Sequence, residues 1–262
     1  MKRTTYIMLG VLIAVPTLII LLFAIASLAG DSDGRYQEDH MINLSKEMTT
    51  MDATGVRAIK ITGIKNSGYH MKGALTVTQD STGKETFTYP KDLEKYADFE
   101  RKADTLQMHL IVDKNNDEDA IQYLYTVIDN IRLQTTAQVS DVRCNVHDMQ
   151  VILQGVQRDS LSVSTSGSLT LSDCNLQKIT PLVGNSEELV LRNSKIHEAW
   201  FDLDRVNEIT MKDSKIHIGH LTASSKRSIQ KDWFDTVYWT PKGEKAELYV
   251  HVHEETTLFF DK

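Results

Sequence analysis

Five of the nine histidines in this chain stand where imidazole chemistry is conceivable. His197 and His217 are twenty residues apart, and His220 follows three residues later. Neutral imidazole nitrogens in such a column bind transition metals. Lys195 and Lys215 lie two positions earlier on the same expected strand face, and their charge disfavours a cation. No third ligand is evident. His251 and His253 share a face beside Glu254, and the same discount applies. The expectation is a solvated polar face that holds no metal and no cofactor.

Asp173, Asp202, Asp204 and Asp213 are the carboxylates of the same region. Glycoside hydrolysis uses two carboxyls at a defined separation. No pair is singled out by spacing, so no catalytic residue is assigned. Cys144 and Cys174 are thirty residues apart, one and a half periods of the repeat that carries these groups. That places them on different sides of a stack and disfavours a disulfide, because bridged Cα atoms lie within about 7 Å. An inserted loop would still permit the pair. There is no Gly-rich phosphate loop, nucleophile elbow or zinc-type Cys/His spacing.

The element that must position these residues is a phrase repeated three times. Its copies begin at Leu169, Leu189 and Ile209, twenty residues apart. Apolar residues fill positions one, three and eight of each copy, and Asp173, Asn193 and Asp213 fill position five. The spacing predicts stacked strands. Leu169, Leu189 and Ile209 form one interior column, Leu171, Leu191 and Met211 a second, and Leu176, Ile196 and Ile216 a third. A second set, Leu161, Phe201 and Leu221, falls at the same interval with Pro181 interrupting, and Val163, Val183, Leu203 and Ala223 line up similarly. The Asp/Asn position is a corner, where those residues tolerate left-handed backbone. No coil buries its own face, so stability comes from stacking. The expected fold is mainly β, a single-stranded parallel β-helix with coils of about twenty residues.

Upstream, Arg57 to Thr62 alternates as a half-buried strand, and Ala74–Thr78 and Thr86–Tyr89 flank turn residues as a hairpin would. Lys91 to Ala103 is densely charged and reads as a surface helix or a loop. Leu106, Met108, Leu110 and Val112 predict a strand. Ile121, Leu124, Ile128 and Ile131 fall at helical spacing and predict a short capping helix near 118–131. Downstream, Trp233, Phe234, Tyr238 and Trp239 precede a turn at Thr240 to Glu244 and an alternating Leu248, Val250, Val252. They predict a C-terminal aromatic hairpin cap. Leu258, Phe259 and Phe260 either pack on it or serve as an attachment point.

At the N-terminus, Lys2 and Arg3 precede an uncharged run from Tyr6 to Ala29. Its length matches the roughly 20 residues of a membrane-spanning helix. The basic flank predicts a cytoplasmic N-terminus and an exported remainder. Ala24–Ala26 and Ser27–Ala29 resemble cleavage sites, so a cleaved signal peptide is the second reading, with a secreted or periplasmic product. The expected organisation is a signal-anchor over 1–30, a polar stalk over 31–54 with Met41, Leu44, Met48 and Met51 on a helical face, and the exported domain over 55–262. The net charge of -7, with no basic block, argues against a nucleic-acid partner.

Three stretches carry a resemblance to a known family: Val56 to Gly63, Asp104 to Leu110, and the Ser168-Leu169-Thr170-Leu171 type of strand repeated downstream. Through them the chain resembles the auto-transporter adhesin, head GIN domain family of bacterial envelope proteins. The resemblance implies a β-helical exported domain, often anchored at the envelope, with no catalytic residues to carry over. The combined expectation is a single-pass inner-membrane protein with a periplasmic binding or scaffold module, contacting a protein or glycan partner without catalysis. The alternatives are a carbohydrate-active β-helix enzyme and an accessory or sensor subunit of an envelope complex.

Overall fold

A computed structural model describes residues 41–44, 46–63, 69–79, 83–111, 124–135, 139–146, 148–183, 188–206 and 208–251. The chain divides into Met1–Met41 and Ile42–Lys262. The described part is almost entirely strand: β1 (Met41–Asn43), β2 (Met48–Asp52), β3 (Ala58–Thr62), β4 (Tyr69–Gln79), β5 (Thr86–Pro90), β6 (Ala97–Lys102), β7 (Thr105–Leu110) and β8 (Leu124–Thr135). There follow β9 (Asp141–Asn145), β10 (Met149–Gln154), β11 (Gln157–Thr165), β12 (Leu169–Ser172), β13 (Asn175–Val183), β14 (Glu188–Arg192) and β15 (Lys195–Asp202). The last are β16 (Glu208–Lys212), β17 (Lys215–Ala223), β18 (Arg227–Gln230), β19 (Phe234–Pro241) and β20 (Leu248–His251).

From β10 to β17 consecutive strands alternate between two sheets. One sheet runs β16-β14-β12-β10-β4-β8-β5-β2, and the other runs β19-β17-β15-β13-β11-β9-β3-β7-β6. A small parallel pair, β18 with β20, stands apart. The repeated phrase sets the register. Leu169 pairs with Leu189 and Leu189 with Ile209; Leu171, Leu191 and Met211 pair likewise. Leu176, Ile196 and Ile216 form the third column in the other sheet. Leu169, Leu171, Leu176, Leu189, Leu191, Ile196 and Ile216 are buried, whereas Ile209 and Met211 on the edge strand are only partly covered. Each fully buried aliphatic side chain contributes roughly 1.5–3 kcal/mol of transfer free energy.

The secondary columns are shifted from their expected places. Leu161 pairs with Ile179, and Ile179 continues through Ala199 and Gly219 to Val237. Phe201 pairs with Leu221 and Leu221 with Trp239. The Leu161–Ile179 and Gly219–Val237 steps are two residues shorter than the phrase, so a strict period misplaces residues at both ends of the repeat.

The corner is where the phrase does its local work. Asp173, Asn193 and Asp213 have φ of 54°, 46° and 50°, the left-handed region that Asn and Asp tolerate. Asn193 Nδ2 donates to Asp173 Oδ1 at 2.6 Å. The next position forms a ladder. The Cys174 N–H donates to Ser194 Oγ at 3.1 Å, and the Ser194 N–H donates to Ser214 Oγ at 3.0 Å. Ser194 Oγ donates in turn to Arg192 O at 2.9 Å, and Ser214 Oγ to Lys212 O at 2.8 Å. Ser194 is fully buried, so its hydroxyl satisfies backbone groups that water cannot reach.

Several expectations are corrected. The single-stranded parallel β-helix gives way to two large mixed sheets, because β2–β5, β5–β8 and β6–β7 pair antiparallel. The twenty-residue phrase extends only over β12 to β17 and imposes nothing on the first half. The capping helix near 118–131 is strand from Leu124 onward: β8 pairs with β4 on one side and β5 on the other. It therefore separates the two strands expected to form a hairpin. The helical stalk over 31–54 contains β2, and Lys91 to Ala103 holds a short 3-10 turn followed by β6. The C-terminal hairpin is absent as such, since β19 pairs with β17 and β20 with β18. The segment Tyr6–Ala29 lies outside the described residues, and among the described residues no helix is long and apolar enough to cross a membrane. The expected single-pass inner-membrane placement is corrected to that extent: no helix among the described residues supports it.

Candidate functional site: the outer face of the second sheet

In β15 and β17 the side chains of Ile196, Ala199 and Phe201, and of Ile216 and Leu221, face the core, with Gly219 at the buried position between the last two. Between them the chain turns its polar and aromatic residues outward. Trp200, His220 and Tyr238 pair in register across β15, β17 and β19. Their rings stack: Trp200 and His220 are 4.6 Å apart at 6°, and His220 and Tyr238 are 5.1 Å apart at 15°. Lys178 Nζ lies 4.0 Å from the Trp200 ring centre, on its other side from the imidazole by strand order. The row therefore begins with a cation–π contact. His220 Nε2 is 2.8 Å from Glu198 Oε1, with both side chains about one-third exposed. Tyr238 ends the row and is 55% exposed.

A second stack lies beside the first. His197 and His217 are 5.0 Å apart at 24°. His217 Nδ1 is 2.8 Å from Asp235 Oδ2, and Lys215 closes on the other oxygen of the same carboxylate. Hydrogen bonds from His217 and Lys215 hold the Asp235 carboxyl below the ordinary value of 3.8. The two expected histidines thus share a face with Lys215, as their spacing implied, and among the described residues no group of three or more potential metal ligands assembles. His251 ends β20, while His253 and Glu254 lie outside the described residues.

The four aspartates are engaged in holding the chain. Asp173 accepts from Asn193, and Asp213 occupies a left-handed corner. Asp202 accepts from Lys242 at 2.5 Å and from Arg205 at 3.4 Å. Asp204 accepts the Ser224 N–H at 2.7 Å and faces Arg227 at 3.5 Å. Burial pushes its carboxyl up, but the Ser224 hydrogen bonds with Lys242 and Arg227 outweigh that and leave it below the ordinary value. Cys144 and Cys174 are free and buried. Burial pushes the Cys144 thiol up to about 12 and raises Cys174 as well. The Cys174 thiol donates to Leu153 O and Ser172 O at 3.4 and 3.3 Å, as its serine counterparts do with carbonyls.

The Trp200–His220–Tyr238 row was not singled out by sequence reasoning. Trp200 and His220 are twenty residues apart, so position twelve of the phrase carried the signal. Tyr238 was hidden by the shortened last period. Chemically the face offers aromatic rings, three imidazoles, two lysines and two carboxylates on neighbouring strands. Such a surface binds by stacking and hydrogen bonding; the buried thiols lie out of its reach.

No family model matches the chain, and no curated protein matches it. Solved structures are similar over most of their length. One from Bacteroides fragilis NCTC 9343, named "putative adhesin", shares 13% identity, with 80% of this chain and 96% of that chain covered and a TM-score of 0.45. One from Parabacteroides distasonis ATCC 8503, named "putative lipid binding protein", shares 10% identity, with 81% and 96% covered and a TM-score of 0.43. A "putative adhesin" from Parabacteroides merdae ATCC 43184 shares 11% identity, with 81% and 99% covered and a TM-score of 0.39.

Proposed function

We propose that the chain is a non-catalytic, adhesin-like binding module of the GIN-domain type, and that the outer face of the second sheet is its contact surface. The observation that carries this reading is the row Lys178, Trp200, His220 and Tyr238 with Glu198 beside it. Polar and aromatic groups fixed on neighbouring strands lose little freedom when a partner docks, which favours binding. The partner is a protein or a glycan that meets ring edges and a mixed-charge rim. The experiment is a panel of immobilised glycans and proteins exposed to the full chain and to a Lys178→Ala/Trp200→Ala variant. Retention of a panel member by the wild type, lost in the variant, is the expected result. Release of a shortened glycan would overturn the non-catalytic reading, and equal retention by the variant would overturn the assignment of the face.

A further inference from the structure

Among the described residues, β19 is the terminal strand of the second sheet. The Lys242 N–H donates to Ala223 O at 2.8 Å, which fixes the phase of the β17–β19 ladder. In a parallel ladder alternate residues address the same neighbour. The even-numbered residues of β19 therefore turn their N–H and C=O groups to β17, and those of Asp235, Val237 and Trp239 point away from the sheet. Val237 and Trp239 are only partly buried against the core, and Tyr238 shows its second ring face beyond the end of the stack.

Sheet edges are usually blunted by lysine, proline, a bulge or an inward charge. In β19 the one charge is Asp235, and Lys215 and His217 draw it back onto its own sheet. Pro241 stands only at the end of the strand. From Asp235 to Thr240 the edge keeps no such device.

We infer that the chain self-associates through this edge, two copies pairing their β19 strands antiparallel about a two-fold axis at Val237. The occupant is a second copy because the edge is complementary to itself. The two-fold sets Val237 against Val237 of the second copy, with Asp235 opposite Trp239 in hydrogen-bonded pairs. It sets Thr236 beside Tyr238, so each bare ring gains a neighbour from the other chain. The symmetry makes the contact closed, a dimer and not a fibre. One strand of eight residues buries less than the roughly 1,200 Å² of a stable complex, so the dimer is weak and depends on concentration. The inference does not depend on the identity of any ligand of the outer face.

The test is sedimentation velocity of the full chain from about 1 μM to about 300 μM, a span chosen for a dissociation constant in the micromolar range. The expected result is a shift from monomer to dimer that Val237→Lys abolishes while the variant keeps a folded circular dichroism spectrum, with a lower melt because Val237 packs partly against the core. Should that variant not fold, Val237→Pro removes only an outward-facing donor and is tolerated at an edge. Amide exchange at Val237 and Trp239 in the wild type should slow as concentration rises, which needs no variant. A wild type that is monomeric throughout overturns the inference, including the case where residues 252–262 occupy the edge and deleting them restores association. So does an association that Val237→Lys or Val237→Pro leaves intact.

Discussion

Gly219 is the position at which one methyl group should cost most. It lies in the column Ile179, Ala199, Gly219, Val237, where side chains shrink from Ile179 to Gly219 before Val237 follows on the last strand. The space is taken by Phe234, whose ring is 1% exposed. A Cβ on Gly219 would stand 2.6 Å from Phe234 Cδ1 and 2.7 Å from Cε1. Both distances fall well below van der Waals contact, so the ring must move. A buried ring has little room, and overpacking of this kind costs about 1–3 kcal/mol. Replacing glycine within a strand returns about 0.5–1 kcal/mol. Gly219→Ala should therefore lose about 1 kcal/mol net, taken from the middle of the two ranges. The assay is urea unfolding, read as a lower midpoint with an unchanged slope. Combining Gly219→Ala with Phe234→Leu should recover part of the loss, a coupling visible in a double-mutant cycle. A Gly219→Ala variant as stable as the wild type, or a cycle without coupling, would refute the packing argument.

Three further outcomes follow from the same geometry. Ser194→Ala strands the Cys174 N–H in a buried turn and should cost about 1–3 kcal/mol by denaturant titration; Ser194→Cys should recover some of it, since Cys174 fills the same rung. Native Cys144 should resist thiol reagents at neutral pH, because burial raises its thiol, and its labelling rate should follow unfolding with added urea. Asp235 has a depressed folded pKa, so its contribution is complete above the unfolded value near 3.8 and is lost as pH falls through the folded one. The stability gap between wild type and Asp235→Asn should thus shrink when pH drops from about 5 to about 2.

The phrase at Leu169, Leu189 and Ile209 was legible because stacking puts like residues over like. Three interior columns and the left-handed corners at Asp173, Asn193 and Asp213 followed from it. Its sixth position, Cys174, Ser194 and Ser214, was equally periodic, but small polar residues carry no burial signal until their carbonyl partners are placed. β8 misled because its ladder shifts register between Ile128 and Ile131, whose partners are Gly73 and Leu75, so three residues of β8 span two of β4 and the strict two-residue period is lost there. The first half, where parallel and antiparallel pairs mix, lacked any repeat, and its pairings join residues far apart in the chain, such as Phe87 with Leu133. Local patterning does not encode such contacts. The outer face was half visible: His197, His217 and Lys215 came from spacing, whereas Lys178 meets Trp200 on a diagonal.

The central claim is that the outer face of the second sheet binds a partner without transforming it. The most direct measurement is a binding isotherm for a retained glycan or protein, taken for wild type and for Lys178→Ala/Trp200→Ala under identical salt and pH. A loss of affinity of about tenfold or more in the variant is predicted, corresponding to about 1.4 kcal/mol, with the partner recovered intact. Superimposable isotherms, or a chemically altered partner, would contradict it.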